Sequence, residues 1–116
     1  MRHLAKGKKF GRIKGQRVAF VRSLCVNLIA KQKIKTTDTR AKTVRSEVEK
    51  LITLAKKQTV ASLRLLIARV GKKSATTLFY EIAPRYTDRK GGYVRITKVS
   101  KRRVGDAACM SYVEFV

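Results

Sequence analysis

The sequence has 116 residues, 44% of them hydrophobic, and its 29 basic and 7 acidic residues give a net charge of +22. This length predicts one folded domain with enough apolar side chains for a core. The two cysteines are far apart in the sequence and provide no disulfide framework, and no apolar run is long enough to predict a membrane span. One histidine and seven carboxylates supply few candidate residues for acid–base catalysis.

The positive charge is concentrated in the N-terminal third of the chain. Residues 1–37 contain eleven basic residues and no acidic one, so internal ion pairs cannot neutralise this part. A solvated basic surface that aids solubility is one interpretation, but this density is more typical of contact with nucleic acid. No secretory or transit signal is recognisable. We therefore expect a cytoplasmic protein in which Cys25 and Cys109 are free, buried thiols.

The first predicted elements are an arm, a helix and a strand. Residues 1–16 contain six basic residues, three glycines and few apolar ones, which predicts an extended basic arm rather than a packed segment. Residues 17–116 are then a single globular domain. In Arg17–Lys31 the polar positions recur every four to five residues, which predicts a largely buried helix. The alternation in Lys33–Thr37 predicts a short strand.

The second predicted helix, Thr39–Lys57, carries the clearest core signal in the chain. Its apolar positions are spaced by four, three, one and three residues, which places them in a single stripe on one helix face. These positions are Val44, Val48, Leu51, Ile52 and Ala55. Thr59–Val70 has a similar pattern and ends at Gly71, which predicts a third helix whose stripe comprises Val60, Leu63, Leu66, Ile67 and Val70.

One short helix and two strands complete the predicted domain. Ser74 can cap a helix over Ala75–Ala83, and Pro84 ends it, because the residue before a proline avoids helical angles. Tyr93–Val99 and Ala108–Val116 are predicted strands. The order helix, strand, three helices and two strands, preceded by the arm, predicts an α+β fold with two layers.

Sites for chemistry are weakly indicated. Gly71-Lys72-Lys73-Ser74 is similar to the end of a phosphate-binding loop, but that loop needs a glycine where Leu66 stands, so a turn between helices is favoured. No close cysteine–histidine pair predicts a metal site, and His3 lies in the arm, where it is not preorganised for catalysis. We expect no enzyme activity, cofactor, metal, small-molecule substrate or membrane partner.

Two basic loops extend the predicted nucleic-acid surface beyond the arm. Arg85–Gly92 combines three cations with a Gly-Gly pair that allows close approach to a ligand, and Lys101–Asp106 is the second loop. The alternative interpretation is that each loop is an ordinary polar turn. Tyr86 and Tyr93 flank the first loop and either stack on unpaired bases or, as we favour, pack against the sheet. The predicted RNA contacts are Arg2, His3, Lys6, Lys8, Lys9, Arg12, Lys14, Arg17, Lys33, Lys35, Arg40, Arg85, Arg89, Lys90, Arg95, Arg102 and Arg103.

Five segments, in order along the whole chain, resemble the family of the seventeenth protein of the bacterial large ribosomal subunit. They are MRH at 1–3, LITLAKK at 51–57, EIAPRY at 81–86, DRKGGYVRI at 88–96 and GDAA at 105–108. The resemblance implies a two-layer α/β domain with a basic arm, bound to large-subunit ribosomal RNA. It also implies a place near the exit of the nascent-chain tunnel, contact with large-subunit protein thirty-two, and neither cofactor nor catalysis.

The combined prediction is a structural RNA-binding protein of the large ribosomal subunit, which supports translation by neutralising RNA phosphates. Two other classes remain alternatives. A DNA-bending protein of the nucleoid usually shows a symmetric dimer or an intercalating wedge, and neither pattern is visible in the sequence. An RNA-modifying enzyme needs a cofactor loop or a nucleophile, and no such motif stands out.

Overall fold

The computed structural model describes residues 3–4 and 7–116 of the chain. Its elements follow the predicted order of helix, strand, helices and strands, which confirms the α+β class. The helices are α1 Lys14–Lys31, α2 Asp38–Ala55, α3 Val60–Val70 and α4 Lys72–Thr77; α4 continues into a π-helical turn, Leu78–Ile82, and a 3-10 turn, Ala83–Tyr86. The strands are β1 Lys33–Thr37, β2 Val94–Lys98 and β3 Met110–Phe115.

The three strands form one antiparallel sheet in the order β1-β3-β2, so the last strand is the central one. Side chains alternate between the two faces of the sheet. Ile34, Val113 and Ile96 are directly opposite one another and face the core. The neighbouring row of Lys33, Glu114 and Arg95 therefore lies on the outer face, away from the helices.

Helix α2 connects the two layers, because it packs across all three strands and against α1 and α3. All five residues of its predicted stripe are buried, which confirms the predicted core. They meet Leu28 and Ile29 from α1, Leu66 from α3 and Val113 from the central strand. One helical face thus supplies most of the surface on which the other elements pack.

Two predicted helices differ from the structure in their details. Helix α1 begins at Lys14, three residues before the predicted start, and the Arg17 amide already donates to the Ile13 carbonyl at 2.8 Å. In α3 the predicted stripe is only partly buried, since Val60 and Ile67 lie on the surface. Leu66 and Val70 are one turn apart and face the core, so α3 buries a narrower strip than its composition predicts.

The predicted end of the short helix at Pro84 was wrong. The chain stays helical to Tyr86, because the π-helical turn is followed by a tighter turn that has Pro84 in its first positions. A proline is tolerated there, since the first amides of a helix have no intrahelical acceptor. Ser74 is buried inside α4 and is not its cap; the helix starts after Gly71, whose φ of 90° favours glycine. Gly71 therefore forms the predicted turn between helices.

Cys25 is buried in α1 as predicted, but Cys109 is exposed, so its predicted burial was wrong. The Cys109 carbonyl accepts a hydrogen bond from the Asp38 amide at 3.1 Å. This bond fixes the backbone at the start of the central strand and leaves the side chain outside the core. Neither cysteine forms a disulfide.

Truncation of Leu51 to alanine should lower the free energy of unfolding by about 2–5 kcal/mol, because loss of its buried side chain would leave a cavity between α2, α1 and the end of α3. Leu65→Ala is the matched control, since Leu65 is half exposed on α3 and should change stability by less than about 0.5 kcal/mol. Urea denaturation of the three proteins measures both values. Equal values for the two variants would contradict this description of the core.

Candidate nucleic-acid interface

The predicted basic segments lie at different positions around the sheet. The loop Arg85–Gly92 precedes β2 and sits at the end of the sheet where β1 and β2 begin. The loop 99–109 connects β2 to β3 and lies at the opposite end. The outer face of the sheet, which carries Lys33, Lys35 and Arg95, runs between the two loops. A continuous basic surface therefore has to cross the sheet.

Two buried tyrosines pack beside the loop Arg85–Gly92 and hold its ends in place. Tyr86 and Tyr93 are almost fully buried, and their ring centroids are 5.2 Å apart. The Tyr86 hydroxyl donates to the Val116 carbonyl at 2.9 Å, and the Lys56 ammonium donates to the Tyr93 hydroxyl at 3.0 Å. Burial raises the pKa of Tyr86, while nearby arginines lower it. These contacts confirm the packing interpretation, and stacking of these two rings on bases was the wrong alternative.

The cations of the first loop remain on the surface. Arg85 donates from Nη1 to the Gln32 Oε1 atom at 3.0 Å, which ties the loop to the end of α1. Arg89 donates from Nε to the Gly91 carbonyl at 3.1 Å. Lys90 is exposed. The uncharged partners of Arg85 and Arg89 leave their positive charge uncompensated and available to phosphate.

The second loop contains its own ion pair. Arg103 donates to both carboxylate oxygens of Asp106, with an Nε–Oδ1 distance of 3.0 Å, and the Ala108 amide donates to the same carboxylate. The hydrogen bond from Arg103 is the main cause that lowers the pKa of Asp106 to about 2, and it also raises the pKa of Arg103. Arg103 therefore holds the loop in shape, whereas Arg102 binds only the Ala107 carbonyl.

Arg12 and Arg40 are two predicted contact residues that lie over the same aromatic ring. The two guanidinium carbons lie 3.9 Å and 4.9 Å from the centroid of the same ring, Phe20. Phe10 packs edge-on against that ring at 5.3 Å, and Arg12 donates to the Phe10 carbonyl. Neither arginine takes part in an ion pair within the described part of the chain. We name Arg12, Arg40 and Phe20 the paired-arginine site; both guanidiniums rest on one ring and keep their positive charge.

On the outer face of the sheet, one carboxylate forms ion pairs with two of the predicted RNA-contact residues. Glu114 lies 3.5 Å from the Lys33 ammonium and 3.6 Å from the Arg95 guanidinium. Lys33 also approaches Tyr112, with 4.6 Å between its ammonium and the ring centroid. Lys35 is exposed on the same face. Tyr112 was not among the predicted site residues, although alternation along the last strand already places it on the face of Glu114.

The remaining predicted contacts are scattered. His3, Lys8, Lys9 and Lys14 are exposed, and Arg17 is half-buried with its guanidinium 3.4 Å from the Arg12 carbonyl. Arg2 and Lys6 lie outside the described residues. The sequence analysis also missed Phe10 and Phe20 as parts of a site. The sequence did contain an indication of this site, since Phe10 is the one Phe, Tyr or Trp residue in the basic segment 1–16.

A cleft of about 670 Å³ lies between α1, α2 and the end of α3. Val21, Cys25 and Leu51 line its floor, and arginines line its rim. Burial, with a smaller effect of Glu47, raises the pKa of Cys25 to about 12, so this thiol is neutral at physiological pH and unreactive as a nucleophile. No helix in the described part of the chain is long and apolar enough to span a membrane.

Comparison with known proteins gives consistent matches. The family model described as ribosomal protein L17 matches residues 20–116. The large ribosomal subunit protein bL17 of Persephonella marina is 54% identical over all of this chain and 95% of its own length. The proteins of the same name from Pelobacter propionicus and Sulfurihydrogenibium sp. are 49% and 47% identical, again over the whole chain and over 91% and 97% of their own lengths.

The two thiols should differ sharply in reactivity. With a thiol reagent at pH 8, the folded protein should take up one label, at Cys109, because Cys25 is buried and protonated. Two labels are expected in denaturant. Mass spectrometry of digested samples locates them, and Cys109→Ser should abolish labelling of the folded protein. Rapid labelling of Cys25 under native conditions would contradict the packing of α1.

Proposed function

Because the chain belongs to the ribosomal protein L17 family, we propose that it binds large-subunit ribosomal RNA and neutralises its phosphates. The chain is a structural constituent of the large ribosomal subunit, in the cytoplasm of bacteria, and not an enzyme. The observation that carries the proposed RNA binding is the paired-arginine site, where two guanidiniums share the Phe20 ring without a carboxylate. A bound phosphate stabilises such guanidiniums, because it forms charge-assisted hydrogen bonds and compensates their charge.

The proposed mechanism is electrostatic. Arginine and lysine side chains replace the cations condensed around RNA, and the release of these ions drives binding. Arg12 and Arg40 bind phosphates at the paired-arginine site, and the exposed cations of the loop Arg85–Gly92 bind others. Arg103 contributes less, because Asp106 already compensates its charge. The rigid domain thus offers several separate phosphate contacts, which allow RNA segments that repel each other to come close together.

The arm is the second proposed RNA ligand. Residues 1–16 contain Arg2, Lys6, Lys8, Lys9, Arg12 and Lys14, and no acidic residue. Because no carboxylate accompanies these cations in the arm, their mutual repulsion favours an extended path along RNA phosphates. Phe10 packs against Phe20, so we assign the part that contacts only RNA to residues 1–9 and regard residues 10–16 as its attachment to the domain.

We further propose a position near the exit of the nascent-chain tunnel, in contact with large-subunit protein thirty-two. This follows from the family resemblance. The outer face of α3 supports a protein neighbour, because Val60 and Leu65 are at least half exposed there. A photo-crosslinker at Leu65 in assembled large subunits should capture protein thirty-two, and one at Lys35 should capture RNA. Capture of RNA alone at Leu65 would contradict the assignment.

The salt dependence of RNA binding tests the electrostatic mechanism. If six or more phosphates are contacted, affinity for large-subunit RNA should fall about a thousandfold between roughly 50 and 200 mM salt. Removal of residues 1–9 takes away Arg2, Lys6, Lys8 and Lys9. The slope of log affinity against log salt should then become shallower by about 3 units, at about 0.7–0.9 per contact. Filter binding measures both slopes.

A charge-matched variant is the control for this truncation. It replaces the same number of exposed lysines on the helical side of the domain with glutamine, namely Lys42, Lys57, Lys72 and Lys73. Its slope should change by less than about 1 unit, because these side chains are not proposed contacts. Equal slopes for the full-length and truncated proteins would show that the arm is dispensable, and a flat slope for the full-length protein would contradict the proposed mechanism.

A further inference from the structure

An aromatic side chain occupies the centre of the outer sheet face. Tyr112 belongs to the central strand, and its register partners are Lys35 on β1 and Thr97 on β2. Lys33 and Arg95 stand in the adjacent row of the same face. Neighbouring strands are about 4.8 Å apart, so these cations flank the Tyr112 ring on both sides. The face is flat, basic and uncovered by any helix.

The surroundings of Tyr112 differ from those of the other tyrosines near basic residues. Tyr86 and Tyr93 are buried and use their hydroxyls to bind atoms of the chain itself. Tyr112 is only half-buried, and the Lys33 ammonium lies 4.6 Å from the ring centroid. The Lys33 side chain is 53% exposed, so it can leave the ring when a ligand arrives. The ring therefore already attracts a cation and is accessible to a flat ligand.

We propose that Tyr112 stacks on an unpaired base of the RNA, while Lys33, Lys35 and Arg95 hold the phosphates on either side of that base. This inference rests on the proposed function in RNA binding and adds the kind of RNA that the sheet recognises. In a duplex the bases are stacked inside the helix and only phosphates reach a flat protein face. A ring at the centre with cations at the edges suits a base splayed from a loop or bulge.

Glu114 contributes to the same arrangement. Its carboxylate lies between Lys33 and Arg95 and holds both side chains over the outer face. It also lowers the net charge beside the ring, which weakens attraction to a continuous phosphate backbone at this point. The outer face thus combines a stacking surface with two positioned cations, whereas in the paired-arginine site two guanidiniums already lie over the ring. The two sites suit different parts of a nucleotide.

Replacement of the ring tests the inference. Tyr112→Leu should weaken binding to large-subunit RNA by about 5- to 150-fold, the range for loss of one stacked base. The salt slope should stay unchanged, because stacking releases no counterions. Tyr112→Phe keeps the ring and should bind within about twofold of the unmodified protein. Tyr80→Leu is the matched control, since Tyr80 is 61% exposed on the π-helical turn and should show no effect.

A fluorescent reporter at the same position gives a direct readout. The chain has no tryptophan, so Tyr112→Trp introduces a single tryptophan, whose emission is excited selectively at wavelengths that tyrosine does not absorb. Large-subunit RNA should quench its fluorescence as the complex forms, while the emission of Tyr80→Trp should stay constant. Thermal melts of all variants show whether each one folds, and Tyr112→Trp keeps the test valid if Tyr112→Leu does not fold.

The outcomes separate this inference from the proposed function. If the unmodified protein binds large-subunit RNA with a steep salt slope but Tyr112→Trp is not quenched, the stacking inference is wrong and the electrostatic mechanism stands. Tyr112→Leu binding as tightly as the unmodified protein leads to the same conclusion. If the unmodified protein fails to bind the RNA, the proposed function itself fails. Quenching together with weaker binding of Tyr112→Leu supports both.

Discussion

The shortage of carboxylates is the constraint on which this structure depends. Only seven acidic residues accompany 29 basic ones. Three of these acidic residues, each bound to a charged or hydroxyl side chain, fix a particular piece of backbone or surface. Asp106 holds the loop before the last strand through Arg103, Glu114 positions two cations on the sheet, and Asp38 binds Ser111 at the junction of α2 and β3. The remaining cations repel one another, so the surface is stabilised when a polyanion binds.

A chain with this repulsion needs a core that does not involve the charged surface. Helix α2 provides it, because its buried stripe contacts the other helices and all three strands. Since the helices cover one face of the sheet, the other face remains open along its full length. The same packing therefore stabilises the fold and displays Lys35 and Tyr112 on a rigid sheet, so that binding of the proposed RNA ligand would cost little ordering entropy.

The sequence alone predicted the parts of the fold that local periodicity determines. The α2 stripe was correct at all five positions, and β1 was correct at both ends. The prediction from sequence failed where tertiary contacts override a local rule. Pro84 does not end the helix, because the chain changes from a π-helical turn to a 3-10 turn at this point. Pro84 lies in the first positions of the new turn, where the backbone needs no amide hydrogen bond. Tyr112 was missed for a similar reason: alternation shows which residues share a face, but only the pairing of β3 between β1 and β2 puts this ring at the centre.

The spacing of the basic sites limits how RNA can be bound. A five-residue strand spans about 16 Å, so the loop Arg85–Gly92 and the loop 99–109 are at least that far apart along the sheet. Asp106 compensates only Arg103 in the second loop and leaves the charges of Lys101 and Arg102, and the paired-arginine site lies beside the first two helices instead. The charge thus falls into separate sites on different elements. Under the proposed function, each of these sites binds its own phosphates, so the RNA is contacted at several separate points of the domain. This arrangement fits the proposed role of holding folded RNA together through phosphate neutralisation.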